Sequence, residues 1–230
     1  MKVSAKGCVE IAEHEGIVPA PYLDSVKVWT YGIGHTHAAG GINPAMMDKG
    51  MPENLSAAVD DAIELFAIDL SSYERRVNEA VTVSLKQHEF DALVSFDFNT
   101  GGIFRANLTK HLNAGSRTKA AQSFMGWLRP PEIRKRRTAE MNLFITGDYD
   151  GNGDSVPVWK VNEKGKLLGI ERSMHGKDLL RRMKKAPTDG YTPTLVTTKQ
   201  GGIMAVIAAA IAAATLFWDK IQAWIGDWPL

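Results

Sequence analysis

Glu15-Gly16-Ile17-Val18-Pro19-Ala20-Pro21-Tyr22-Leu23-Asp24-Ser25-Val26-Lys27-Val28-Trp29-Thr30-Tyr31-Gly32-Ile33-Gly34-His35-Thr36 is the stretch whose reading decides the fold of this chain. It runs from a helix end through a proline-stiffened turn into a short strand. Residues 2–15 place Val3, Cys8, Val9, Ile11 and Ala12 near helical spacing, and Gly16 stands where a C-cap glycine belongs. Pro19 and Pro21 force an extended turn, which presents Asp24 outside regular structure. Residues 26–33 alternate well enough for a strand, so Val28 and Thr30 are expected on one face.

The types of residue matter as much as their spacing. A glutamate in the last turn of a helix meets the partial negative charge of the C-terminus. Burial beside Ile17, Val18 or Tyr22 would add desolvation, and both effects favour the protonated carboxyl. Such a carboxyl can donate to a departing glycosidic oxygen. Asp24, with Thr30 beside it, would then hold the attacking water. The residues alone leave a plainer alternative open. Glu15 could be a solvated helix end, Asp24 a turn residue and Thr30 an ordinary strand residue.

The surrounding sequence favours the chemical reading. Glu15, Asp24 and Thr30, with Trp29-Thr30 followed by Gly32-Ile33-Gly34-His35-Thr36, resemble the active-site signature of phage-type lysozymes, the muramidases of glycoside hydrolase family 24. A second block agrees: Val81-Thr82-Val83, Leu85, Gln87, Phe90 to Phe96 and Phe98-Asn99-Thr100-Gly101. The third runs from Leu112-Asn113-Ala114-Gly115 through Trp127 to Arg136-Arg137-Thr138-Ala139-Glu140. The resemblance implies Glu15 as general acid, Asp24 as the residue that positions and activates water, and Thr30 as its partner. It also implies inversion, which needs the two carboxyl groups about 6.5–9.5 Å apart. Some family members carry cysteine where this chain has Asp24. Pro130-Pro131-Glu132-Ile133 departs from the family's usual lead-in to the basic helix, and the resemblance ends near residue 146.

Other motifs are weaker. His35 lies in a glycine-flanked turn, where a structural hydrogen bond is the expected role. Cys8 is the only cysteine, so no internal disulfide can form, as in a reducing cytosol, and its apolar neighbours predict core packing. No cysteine–histidine spacing suggests zinc and no glycine-rich phosphate loop is present, so no cofactor is expected. Asp148, Asp150, Asn152 and Asp154 mimic the first half of a calcium loop, with Gly153 in sixth place. The twelfth place is Trp159 rather than glutamate, and a polar turn before a hairpin is the simpler reading.

Total charge is nearly balanced, at +1, yet unevenly spread. Residues 1–100 hold seven Lys/Arg against fifteen Asp/Glu, and residues 101–185 hold eighteen against eight. A solvated basic face explains this by default, and attraction to acidic peptidoglycan or anionic lipid is the alternative. Nucleic acid is not expected, because aromatics are not interleaved through residues 134–137.

The expected architecture is α+β, mainly α. A small β-sheet lobe to about residue 40 is joined by a long helix to a helical lobe, with a cleft between them. Asn54 or Ser56 would cap the long helix over residues 57–80, and further helices are expected near 85–97, 105–114, 117–127 and 133–144. Residues 1–145 form the catalytic domain, 146–185 an extension with a hairpin and short helix, and 186–200 a linker. Residues 201–228 form an apolar, then amphipathic, tail helix.

That tail has no charge from 201 to 218, and seven of those eighteen residues are alanine. Spanning a bilayer takes roughly 20 residues, so insertion would be marginal. Trp224 and Trp228 suit an interface, whereas a helix packed on the enzyme is the soluble alternative. Lys184, Lys185 and Lys199 would keep the catalytic domain on the cytoplasmic side. Residues 1–11 show no apolar signal region. The expectation is a monomeric endolysin, made in the bacterial cytoplasm and held near the inner membrane, that cuts peptidoglycan between N-acetylmuramic acid and N-acetylglucosamine. Chitin-like substrates and non-hydrolytic lytic cleavage are rivals within the enzyme class. A non-catalytic wall-binding or membrane-disrupting protein acting through its tail is the rival outside it.

Overall fold

Ser4 opens the first helix, and what holds Ser4 explains much of the architecture. The structure is a computed structural model, and it describes residues 1–149 and 154–184. Helix α1 spans Ala5–Glu15, with Ser4 Oγ accepting from the Gly7 amide at 3.0 Å. Ser4 is itself anchored. Its Oγ donates to Asp91 Oδ2 at 2.5 Å, and its amide donates to Asp91 Oδ1 at 3.0 Å. The cap therefore sets the start three residues later than apolar spacing suggested. Gly16, at φ +69°, ends the helix as expected.

A three-stranded antiparallel sheet follows, with β1 at Val18–Leu23, β2 at Trp29–Gly32 and β3 at His35–Thr36, in that order. The strand expected over residues 26–33 begins three residues late. Asp24 Oδ1 accepts from the amides of Val26 and Val28, at 2.9 and 2.8 Å, and this bends residues 24–28 into a turn. Val26 and Val28 consequently lie at the surface, and Val28 does not share a strand face with Thr30.

Helix α2, Leu55–Ala80, links the sheet to the helices, and Asn54 Oδ1 caps it by accepting from the Ala57 amide. At 1.5 Å per residue its 26 residues run about 39 Å. Val59, Ala62, Ile63, Phe66, Leu70 and Val77 line its buried face. Helix α3, Gln87–Thr100, is buried at every residue from Glu89 to Phe98, because α1, α2 and later helices surround it. Helices α4 (Asn107–Asn113), α5 (Arg117–Ser123) and α6 (Arg134–Thr146) complete the helical lobe. The helix expected over 117–127 stops at Ser123 and finishes in a 3-10 turn, Phe124–Gly126. A cis Arg129–Pro130 bond and a 3-10 turn at Pro131–Ile133 lead into α6.

Strands β4 (Ser155–Val161) and β5 (Leu167–His175) form the hairpin expected of the extension, followed by α7 at Gly176–Met183. Val156, Val158, Met174 and Leu179 from this segment join the main hydrophobic core with α1, α2 and α3. A second, smaller core combines Val18, Ala20 and Tyr22 of β1 with Val161, Trp159 and Leu167. The charge-rich α6 is not a solvated basic face throughout. Arg136 and Arg137 are buried, while Arg134 and Lys135 are exposed.

Asp150 and Asn152 of the calcium candidate lie outside the described residues, and so does the tail over 201–228. Among the described residues no cluster of three or more metal-binding side chains occurs, and no helix is long and apolar enough to cross a membrane. Trp159, at the twelfth place of that candidate loop, is part of β4 and packs on β1.

Candidate active site

Glu15 is the last residue of α1, and Gly16 turns the chain immediately after it. Its Oε1 accepts from Arg136 Nη1 at 2.5 Å. A helix end with apolar neighbours was the expected setting, and this guanidinium is what that expectation lacked. Arg136 is fixed in turn: Nε donates to Glu140 Oε1 at 3.0 Å, and Nη2 donates to the Ser95 carbonyl at 3.2 Å. Burial would lower the pKa of Arg136, but Glu15 and Glu140 outweigh it and hold the group above its ordinary value.

Arg137 braces the same cluster from behind. It donates to Glu140 Oε2 and to Asn99 Oδ1, and its guanidinium lies over the Phe96 ring. Ser95 Oγ completes the network by donating to Glu140 Oε1 at 2.8 Å. A buried ionic network of this kind is a costly way to stabilise a fold, and its value lies in fixing geometry.

The other face of Glu15 meets Gly34. A methyl group on Gly34 would stand 3.1 Å from Glu15 Oε2 and 3.0 Å from Phe98 Cε1. Gly34 also sits at φ +74°, so both its backbone and its lack of a side chain are required there. Oε1 is thus committed to Arg136, while Oε2 lies on the side toward the sheet. The Glu15 side chain retains 17% of its exposure, enough to reach a ligand.

Asp24 is half-buried, with Oδ1 occupied by the two turn amides. Oδ2 is the oxygen that this turn leaves for a water. Thr30 is buried on β2, directly opposite Tyr22 of β1 and Thr36 of β3. Its Oγ1 donates to the Val28 carbonyl at 3.2 Å, so its lone pairs remain to accept from a water.

Burial raises the pKa of the Tyr22 phenol most, and the charges of Glu15 and then Asp24 raise it further. Tyr73 of α2 is pushed up to about 12, chiefly by burial and then by Asp69 and Asp97, with Glu15 as a lesser contributor. In the sequence Tyr22 reads only as apolar cover, and Arg136 as part of both a basic cluster and the third family-like block. The signal for Arg136 was present in Arg136…Glu140, a spacing of four that puts both on one helix face.

His35 has the structural role expected of it. Nδ1 faces Asp69 Oδ2 at 2.8 Å and Nε2 faces the Ile42 carbonyl at 3.1 Å. Desolvation opposes the charged ring, but the bond to Asp69, its charge and the carbonyl together raise the His35 pKa. Cys8 is buried, and burial followed by the charges of Asp91 and Glu74 pushes its thiol up to about 12.

The small sheet, the long linking helix and the helical lobe define a lysozyme-type fold. A family model described as Phage lysozyme matches residues 12–140, more than half of the chain, and the chain belongs to that family of muramidase-class glycosidases.

The endolysin of Salmonella phage P22 is 30% identical over 152 residues, covering 64% of this chain and 99% of its own length. The endolysin of Acyrthosiphon pisum secondary endosymbiont phage 1 is 31% identical over 155 residues, with 63% and 98% covered. The chain spans 56% of the Bacillus phage B103 endolysin, at 29% identity. Among solved structures, the muramidase domain of SpmX from Asticaccaulis excentricus aligns with a TM-score of 0.51 at 30% identity, over 63% of this chain and 98% of that one. A variant of P22 lysozyme gives 0.50 at 28% identity, over 64% and 99%.

Proposed function

We propose that this chain lyses peptidoglycan as an endolysin, hydrolysing the β-1,4 bond between N-acetylmuramic acid and N-acetylglucosamine. Glu15 is the general acid, delivering a proton through Oε2 to the leaving oxygen. Asp24 Oδ2 draws a proton from the attacking water, and Thr30 Oγ1 holds that water in place. The observation that carries this reading is the Glu15–Arg136 contact, which commits one carboxyl oxygen and leaves the other toward the sheet that bears Thr30 and leads into the Asp24 turn.

The chain acts as a monomer without a cofactor. Residues 201–228 associate with the inner membrane of the bacterial host, a reading supported by the uncharged run from 201 to 218. Deleting residues 201–230 and finding unchanged partitioning between membrane and soluble fractions would defeat that part.

The test of the enzymatic part is turbidity loss of outer-membrane-permeabilised Gram-negative cells, comparing the wild type with a folded Glu15→Gln variant. Lysis by the wild type alone, with release of reducing ends and no anhydro sugar, is the expected result. Equal lysis by both would withdraw the catalytic assignment and shift the killing to the apolar tail.

A further inference from the structure

The strand that joins the two carboxyl-bearing segments is poorly held by its own sheet. β1 begins two residues after Gly16 and ends at the residue before Asp24. Pro19 and Pro21 have no amide proton, and the β1–β2 register is irregular between Val18 and Tyr22. Pairing with β2 is confined to Val18, Tyr22 and Leu23.

The β4–β5 hairpin supplies what β2 does not. At the Glu15 end, the Ile17 amide donates to the Pro157 carbonyl and the Trp159 amide to the Ile17 carbonyl, both at 2.8 Å. The Trp159 indole nitrogen stands 2.5 Å from where a side chain on Gly16 would begin. At the Asp24 end, the Leu23 amide donates to the Gly165 carbonyl at 2.8 Å. Trp29, the neighbour of Thr30, lies so close to Gly165 that a methyl there would meet its ring at 2.5 Å. Between the two ends, Val161, Trp159 and Leu167 bury Val18, Ala20 and Tyr22. All of these hairpin residues lie beyond the family match, which ends at residue 140.

We propose that the β4–β5 hairpin is a positioning element of the active site, in which Trp159 sets Glu15 through Gly16 and Gly165 sets Asp24 and Thr30 through Leu23 and Trp29. The proposal rests on the assignment of Glu15, Asp24 and Thr30 given above. Trp159 and Gly165 touch no substrate; they fix where the acid and the water-holding groups stand. Displacements of an ångström at such groups cost on the order of a hundredfold in rate, whereas lost cover elsewhere affects stability alone.

The experiment uses the full chain and soluble peptidoglycan fragments, with kcat and KM measured separately. Trp159→Leu, Trp159→Phe and Gly165→Ala are compared with Leu179→Ala, a buried core change in α7 outside the hairpin. All are assayed well below their unfolding temperatures. Trp159→Leu and Gly165→Ala are expected to lower kcat by about tenfold or more with KM little changed, and to shift the pH profile of kcat. Trp159→Phe, which keeps a ring against Gly16, restores most of kcat, and Leu179→Ala keeps wild-type kcat and pH profile. Wild-type kcat in Trp159→Leu and Gly165→Ala, or losses that merely track thermal stability as in Leu179→Ala, would overturn the proposal. A Glu15→Gln control separates the failures. If it is inactive while the hairpin variants are normal, the positioning role alone falls; if it is active, the assignment beneath it falls.

Discussion

Arg136 Nη1 lies 2.5 Å from Glu15 Oε1, joining residues 121 positions apart at the point where α6 meets the end of α1. The contact orients the proposed acid. Arg136→Lys keeps the charge but cannot serve Glu15, Glu140 and the Ser95 carbonyl together. It is expected to fold and to lose activity at least about tenfold. Arg136→Met takes the guanidinium from Glu15 and leaves Glu140 to Arg137 and Ser95, and should cost about 1–3 kcal/mol of stability in denaturant titrations.

Asp24 has two tasks that substitution can separate. Asparagine retains an oxygen for the Val26 and Val28 amides, so Asp24→Asn should keep the wild-type melting temperature. It loses the basic oxygen, and kcat is expected to fall by about 10²–10⁴-fold. Asp24→Ala removes both functions, adding roughly 0.5–1.5 kcal/mol of destabilisation from the lost turn bonds, whose exposed amides water can satisfy. Calorimetry alongside a reducing-end assay distinguishes the two variants.

Gly34→Ala places a methyl group against Glu15 Oε2 and the Phe98 ring at a positive φ. A loss of about 1–2 kcal/mol is expected from the backbone alone. Activity should fall further than stability explains, because the methyl displaces the acid. A variant with wild-type activity and stability would contradict the close approach described here.

The His35–Asp69 clamp predicts a pH dependence of stability. The folded-state pKa of His35 is raised, so its contribution is complete below the unfolded value of about 6.5 and is lost as pH rises through the folded value. His35→Gln should therefore be most destabilised relative to wild type on the acidic side of about pH 6.5, with the gap narrowing at higher pH. Thermal unfolding of both proteins across that range tests the sign.

Local signals in the sequence located most elements. Asn54 capped the long helix and Gly16 ended the first one, because caps are properties of single residues and their immediate neighbours. The start of β2 was misplaced, since the alternation of Val26 and Val28 is overridden by a carboxylate two residues upstream that captures their amides. Arg136 and Arg137 read as a charge run because nothing in residues 134–137 announces partners at Glu15, Ser95 and Asn99. Glu15, Asp24 and Thr30 are candidates through family resemblance, whereas the close approach of Gly34 to Glu15 required the fold.

The pinning of Ser4 by Asp91 carries a mechanical consequence. Met1, Lys2 and Val3 are likewise bonded to Asn78, Gln87 and Glu74, so α1 is bolted to α3 and the far end of α2. Glu15 is therefore anchored through the helices, whereas Asp24 and Thr30 are anchored through the sheet and its turn. The β4–β5 hairpin, bonded to Ile17 and Leu23 and packed into the core it shares with α1, α2 and α3, bridges the two, so the spacing between proton donor and water depends on the amino terminus and the hairpin together.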